Sequence, residues 1–276
     1  MVTRSNYKRT MKMEMWSPAF YRDVAAEVVG TFLLVAVQIA LVLDPSTTPN
    51  PDRTGNIVRI AVGMGLVVVL LADSLGSFGG GHFNPAVTVA QVACLRVTLL
   101  RGLLYILAQV LGGILASLFM YGVTTTIDAA HGGFAVTLLS PGVTPVQGMF
   151  VELFATTLLV FTVLGATDAG RRNVVMPALP IGFAVGCALM STIPYTGASI
   201  NPARSFGPAL IANQLIPNKA GHIDPFAYHW VYWVGPILGA LVATAIYCGF
   251  SQADKKQNVM KTEENGSPYE LDKTHL

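Results

Sequence analysis

Six stretches of this chain are each about 20 residues long and mostly apolar, the length an α-helix needs to cross the hydrocarbon core of a bilayer. They run roughly over 24–43, 57–76, 97–122, 146–166, 176–194 and 228–250. Lipid offers no partner to a free backbone amide or carbonyl, so a single apolar stretch of this length can only cross as a helix. The expected fold class is therefore an all-α membrane protein. Composition agrees: 53% of the 276 residues are hydrophobic and 12% are charged, against about 25% charged in a soluble domain. A net charge of +2 gives no reason to expect a nucleic-acid partner. The segment through Trp16 is polar and basic, and no cleavable signal peptide is visible in it.

Two further apolar stretches, roughly 85–94 and 202–212, are too short to cross. Each opens at the same triplet. Asn84-Pro85-Ala86 lies in "GGGHFNPAVTVA", and Asn201-Pro202-Ala203 lies in "GASINPARSFGPA". Asn is a favoured N-cap and Pro the favoured first helical residue. One such triplet reads as a turn. Two of them, each starting a short apolar segment, read as two helices that enter the membrane and stop.

The chain also repeats itself. "AAEVVGTFLLV" in the first span echoes "FVELFATTLLV" in the fourth, which pairs Glu27 with Glu152 and Thr31 with Thr156. "VLGGILAS" in the third span resembles "VGPILGAL" in the sixth. Each half holds three spans and one short segment, and an odd number of spans sets the halves in opposite directions. Inverted repeats of this kind place a permeation site near the bilayer midplane, at broken helices. The division expected is a segment 1–20, a channel domain 21–250 with repeats about 21–125 and 145–250, and a polar tail 251–276 without fixed structure.

Basic residues give the orientation. Arg4, Lys8, Arg9, Lys12 and Arg22 precede the first span, and Arg96 and Arg101 flank the third. Arg171 and Arg172 follow the fourth span, and Lys255, Lys256, Lys261 and Lys273 follow the sixth. All of these fall on one side, read as cytoplasmic, with both termini.

The two short helices would meet head to head. Each helix N-terminus carries an effective charge of about +0.5, so their meeting point repels protons and cations. Asn84 and Asn201 would offer amide donors to the oxygen of a passing neutral molecule. Glycines 79–81 and 197 would give the preceding segments an extended path with exposed carbonyls. Glu27 and Glu152 are costly at membrane depth. A proton relay is one reading. Their matched positions favour the other, in which each carboxylate anchors the loop of its own half.

With these residues assembled, the chain resembles an aquaporin of the major intrinsic protein family. The resemblance covers roughly 20–250 and rests on "AEVVGTFLLV", "GGGHFNPAVTVA", "YTGASINPARSFGPAL" and "HWVYWVGPILGA". It implies six tilted helices and two half-helices around one pore per chain, assembled as a homotetramer in the plasma membrane. It also implies an aromatic/arginine constriction on the extracellular side, at Met64, Leu189, Ala198 and Arg204. Water-selective members typically carry Phe, His and often Cys at the first three positions. Glycerol-conducting members carry Trp, Gly and an aromatic residue. This chain matches neither set. Met64 is flexible and slimmer than a ring, Leu189 removes an imidazole, and Ala198 is small. The expected constriction is greasier and wider: the main reading is a channel for water that excludes protons and ions, the alternative is a broader one that also passes glycerol or urea, and other side chains filling the space would keep it water-only.

Ser205, Ala209, Tyr232 and Trp233 resemble the water-type pattern, so the framework is read as water-type with an altered filter. His82 resembles a histidine common in the family at the cytoplasmic mouth, either a pH sensor or a structural hydrogen-bonding group. Asp168 would pair with Arg171 or Arg172, and Ser77 is a candidate phosphorylation site. The terminal Thr274-His275-Leu276 has the form of a PDZ-domain ligand. Cys94, Cys187 and Cys248 have no metal spacing and read as small buried hydrophobes. No cofactor or metal is expected, and no nucleophile–base pattern suggests an enzyme. An ion-coupled transporter would need carboxylates other than the matched pair. A junctional, adhesive membrane protein of low permeability stands as the alternative from another class.

Overall fold

The computed structural model describes residues 14–43, 53–124, 134–168, 176–216 and 224–264, the side chains of 53 and 252–264 excepted. The basic residues before position 14, Arg171, Arg172 and the terminal Thr274–Leu276 lie outside the described residues. Eight helices follow in order: α1 (Pro18–Val42), α2 (Arg53–Leu75), α3 (Pro85–Ala93), α4 (Leu99–Val123), α5 (Pro145–Ala166), α6 (Ala178–Thr196), α7 (Pro202–Leu215) and α8 (Val231–Glu264). The described residues contain no strand. Six of the helices are long and apolar enough to cross a membrane, with α8 doing so over Val231–Ser251. Helix α3 has nine residues, or about 14 Å, close to half of a hydrocarbon core.

The outward faces are as apolar as the inward ones. Leu66 and Leu70 on α2, Leu103 and Leu107 on α4, Phe154 on α5 and Phe183 on α6 are all more than half exposed. In water such stripes would drive aggregation. In lipid they face a solvent of their own kind.

Tilted helices pack closely here because glycine takes the contact positions. At Gly112 of α4 an added Cβ would meet the Val28 carbonyl, Thr31 and the Phe32 amide of α1. At Gly239 of α8 it would meet the Leu153 carbonyl, Thr156 and the Thr157 amide of α5. The two contacts are equivalent under the repeat that pairs Glu27 with Glu152. They also correct one alignment. Packing pairs Gly112 with Gly239, three residues out of the register in which "VLGGILAS" and "VGPILGAL" match end to end. On the axis between the halves, Gly65 of α2 and Gly182 of α6 abut each other's carbonyl oxygens. The two halves thus share two apolar clusters, each drawn from both of them, and the half-helices α3 and α7 are wedged between the long ones: Ala86, Ala90, Ala203 and Ala209 are all at most 1% exposed.

Three cysteines depart from the expected burial. Cys187 is exposed on the outer face of α6, and Cys94 and Cys248 are partly buried with their sulfurs 3.8 Å apart. Position 187 falls on the lipid-facing turn of α6, between the inward Gly186 and Ala188, which composition alone does not reveal.

Candidate pore and its constriction

Each half-helix starts as its triplet dictates. The Asn84 side chain accepts from the Ala86 amide, and that of Asn201 accepts from the Ala203 and Arg204 amides. Each therefore satisfies donors that a helix start leaves open. The same two side chains also join the halves. Asn84 Nδ2 donates to the Ile200 carbonyl at 2.7 Å, and Asn201 Nδ2 donates to the Phe83 carbonyl at 2.9 Å. One of each amide's two hydrogens is thus committed across the axis, leaving the second for another acceptor.

This crossing depends on unusual backbone. Phe83 and Ile200 both have φ of 48°, a left-handed conformation costly for bulky residues. The surroundings that hold it are the two glutamates. Glu27 accepts from the His82 amide at 2.8 Å and the Phe83 amide at 2.7 Å. Glu152 accepts from the Ser199 amide at 2.8 Å and the Ile200 amide at 2.7 Å. Each carboxylate gains one side-chain donor as well: Gln109 for Glu27 and Thr196 for Glu152, at 2.7 and 2.6 Å. Both glutamates are fully buried and lie among donors, as a buried charge requires.

Around the first loop the network continues outward. Thr88 donates to the Asn84 carbonyl and accepts from Gln109. The His82 imidazole meets Thr88 through Nδ1 at 3.1 Å. With the Thr88 proton on Asn84, Nδ1 carries the imidazole proton and Nε2 is left as an acceptor. His82 is 8% exposed and edges against Tyr105, which donates to the Gly79 carbonyl. Arg101 ties Tyr105 to Asp23 and Glu14. Gly79, Gly80 and Gly81 all have positive φ, and a side chain at Gly79 would meet Tyr105 and Asp23.

The second loop is braced differently. Ser205 lies 2.6 Å from Ser199 and accepts from Thr137, and Tyr232 donates to the Thr196 carbonyl at 3.0 Å. Ala209 is fully buried, and Trp233 meets Phe206 edge to face. Asp168 accepts a hydrogen bond from Tyr247 of α8.

A cavity of about 330 Å³ runs past both triplets. Asp73 and Ser77 line it towards the end of the bundle where α1 begins. Asn84 and Asn201 line its middle, and Met64, Leu189, Ala198 and Arg204 line it together beyond them. Arg204 is 6% exposed and donates to the Ala135 carbonyl at 3.3 Å. None of the three cysteines lines this cavity.

Sequence reasoning passed over Gln109, Thr88 and Thr196, which complete the glutamate networks, and Gln38, which lines the cavity. A polar side chain within an apolar span was the available signal for Gln38 and Gln109, whereas Thr88 sits on the half-helix α3 and Thr196 just past the fifth apolar stretch.

Two half-helices joined at their N-termini inside a bundle of six, beside a cavity that passes both, define a membrane channel. The chain belongs to the major intrinsic protein family, whose model matches residues 14–247. It is 38% identical to mouse Aquaporin-4 over 234 residues, covering 84% of this chain and 68% of that protein. It is 39% identical to pig Aquaporin-5 over 239 residues, covering 86% and 83%. The solved aquaglyceroporin of Plasmodium falciparum has the same fold, with a TM-score of 0.72 at 24% identity, covering 83% of this chain and 95% of that one.

Proposed function

We infer that this chain is a passive channel that conducts water down an osmotic gradient and excludes protons and other ions. The observation that carries this reading is the reciprocal pair Asn84–Ile200 and Asn201–Phe83. It holds two helix N-termini, and their partial positive charges, face to face beside the cavity. A water oxygen that accepts from the remaining asparagine hydrogens turns its own hydrogens away from the neighbouring waters' proton path. Arg204 adds a fixed charge in the constriction. Glu27 and Glu152 act as loop anchors in this account, since every contact they make is with their own half.

The constriction favours a second reading alongside the first. Met64, Leu189 and Ala198 present no aromatic ring and no imidazole to the cavity. Small neutral solutes such as glycerol and urea would pass with water, their carbon atoms against Met64 and Leu189. The two aquaporins named above support the water reading, and the residue types at the constriction support the broader one.

The basic residues support a reading with both termini in the cytoplasm, and the family resemblance supports a homotetramer in the plasma membrane. A PDZ-domain partner at Thr274–Leu276 remains part of the proposal. Stopped-flow light scattering on proteoliposomes tests the solute range: glycerol and urea uptake above that of empty liposomes supports the broad constriction, and uptake at their level restricts the channel to water.

A further inference from the structure

Gln38 on α1 lines the same cavity as the constriction residues. It is 1% exposed, and neither its amide nitrogen nor its amide oxygen has a partner among the described residues. Burying a donor and an acceptor together without partners is costly, and the usual protein answer, an apolar side chain, was open at this position.

The packing register fixes its height. Helices α1 and α2 run antiparallel, and a Cβ at Gly63 would meet the Leu41 side chain. One turn back along α1 is Gln38, which therefore lies within about a turn of Met64. Leu34 and Gln38 from α1, and Met64 and Val68 from α2, face the cavity at four-residue spacing. Met64 is unbranched and flexible, so it does not wall the amide off from the pore.

We propose that Gln38 is a fifth residue of the constriction, and that its amide selects small neutral solutes bearing a carbamoyl edge, namely urea and simple primary amides. This rests on the reading of a solute-passing constriction given above. The side chains of the other four residues cannot make that choice. That of Arg204 only donates, and those of Met64, Leu189 and Ala198 offer contact without polarity. Gln38 sets a donor and an acceptor side by side. A carbamoyl group meets both with two parallel hydrogen bonds, while Arg204 is free to donate to a carbonyl oxygen. A polyol can meet the pair only with separately rotating hydroxyls that must be ordered to do so, whereas the carbamoyl edge is planar and already in register.

The test is Gln38→Leu in proteoliposomes, with urea, acetamide, glycerol and water permeabilities measured on one preparation. The wild-type channel takes up urea above the empty-liposome level. In Q38L the urea-to-glycerol and acetamide-to-glycerol ratios fall about five- to tenfold, the worth of one neutral hydrogen bond. Thermal stability stays level or rises, because an unpartnered amide has gone. Unchanged ratios in a wild type that does pass urea overturn the Gln38 assignment and leave the broad constriction standing. Wild-type urea and glycerol uptake at the empty-liposome level, beside fast water flux, overturns both. A drop in stability with all fluxes falling in proportion makes Gln38 a packing residue and overturns the assignment. Should Q38L fail to insert, the wild type alone decides: faster passage of acetamide than of similarly sized ethylene glycol supports the proposal, and equal passage overturns it.

Discussion

Asn84 and Ile200 are 116 positions apart in the chain, yet the side chain of one donates to the carbonyl of the other at 2.7 Å. Asn201 and Phe83 repeat the bond in the opposite direction. The seam between the two halves is therefore made from the residues that cap the half-helices. Removing either carboxylate behind it should loosen both loops. Glu27→Gln and Glu152→Gln each set an amide NH2 against backbone amides that now donate to a carboxylate. Each should cost about 1–3 kcal/mol of stability, by similar amounts, because the contacts are equivalent. Thermal unfolding in detergent checks this; a change in only one variant would break the claimed equivalence.

Arg204 lines the cavity and is the fixed charge of the proposed constriction. Arg204→Val removes it and leaves apolar contact in its place. The ratio of proton leak to water flux should rise by about tenfold or more, equivalent to at least 1.4 kcal/mol of lost electrostatic barrier. A pH-sensitive dye inside the liposomes reads the leak.

By the resemblance, Leu189 takes the place of a histidine in the proposed constriction. Leu189→His returns a hydrogen-bonding ring to the constriction. The glycerol-to-water permeability ratio should fall about fivefold to tenfold, in line with about 1–1.4 kcal/mol against a carbon-bearing solute. An unchanged ratio would locate the narrowest point elsewhere.

Mercurials should leave water flux nearly unchanged. Ala198 provides no thiol, Cys187 faces outward, and Cys94 and Cys248 meet each other away from the cavity. Strong inhibition that Cys187→Ser abolishes would mean that α6 turns that face towards the pore.

Much of this was legible in the sequence. The six spans follow from length and hydropathy, and the two half-helices from an N-cap Asn and an N1 Pro before segments too short to cross. The matched glutamates follow from the repeat. What stayed hidden depends on how helices lie against one another. The register of α4 on α1 and α8 on α5 is set by where glycines allow backbone contact, so an end-to-end string match missed it by three residues. The second hydrogen bond of each asparagine joins residues far apart in the chain. Gln38 is one polar letter in an apolar span, and only the register of α1 on α2 brings it to the constriction.

On the proposed function, the joined half-helices pass water and stop protons. The most direct test measures osmotic water permeability and proton leak on the same wild-type proteoliposomes. Water permeability should stand about tenfold or more above that of empty liposomes, a lowering of the barrier by at least about 1.4 kcal/mol, with proton leak at the empty-liposome level. Proton leak that rises with water flux would contradict the electrostatic role of the paired helix N-termini, and water flux at the empty-liposome level with clustered vesicles would make the protein an adhesive one instead.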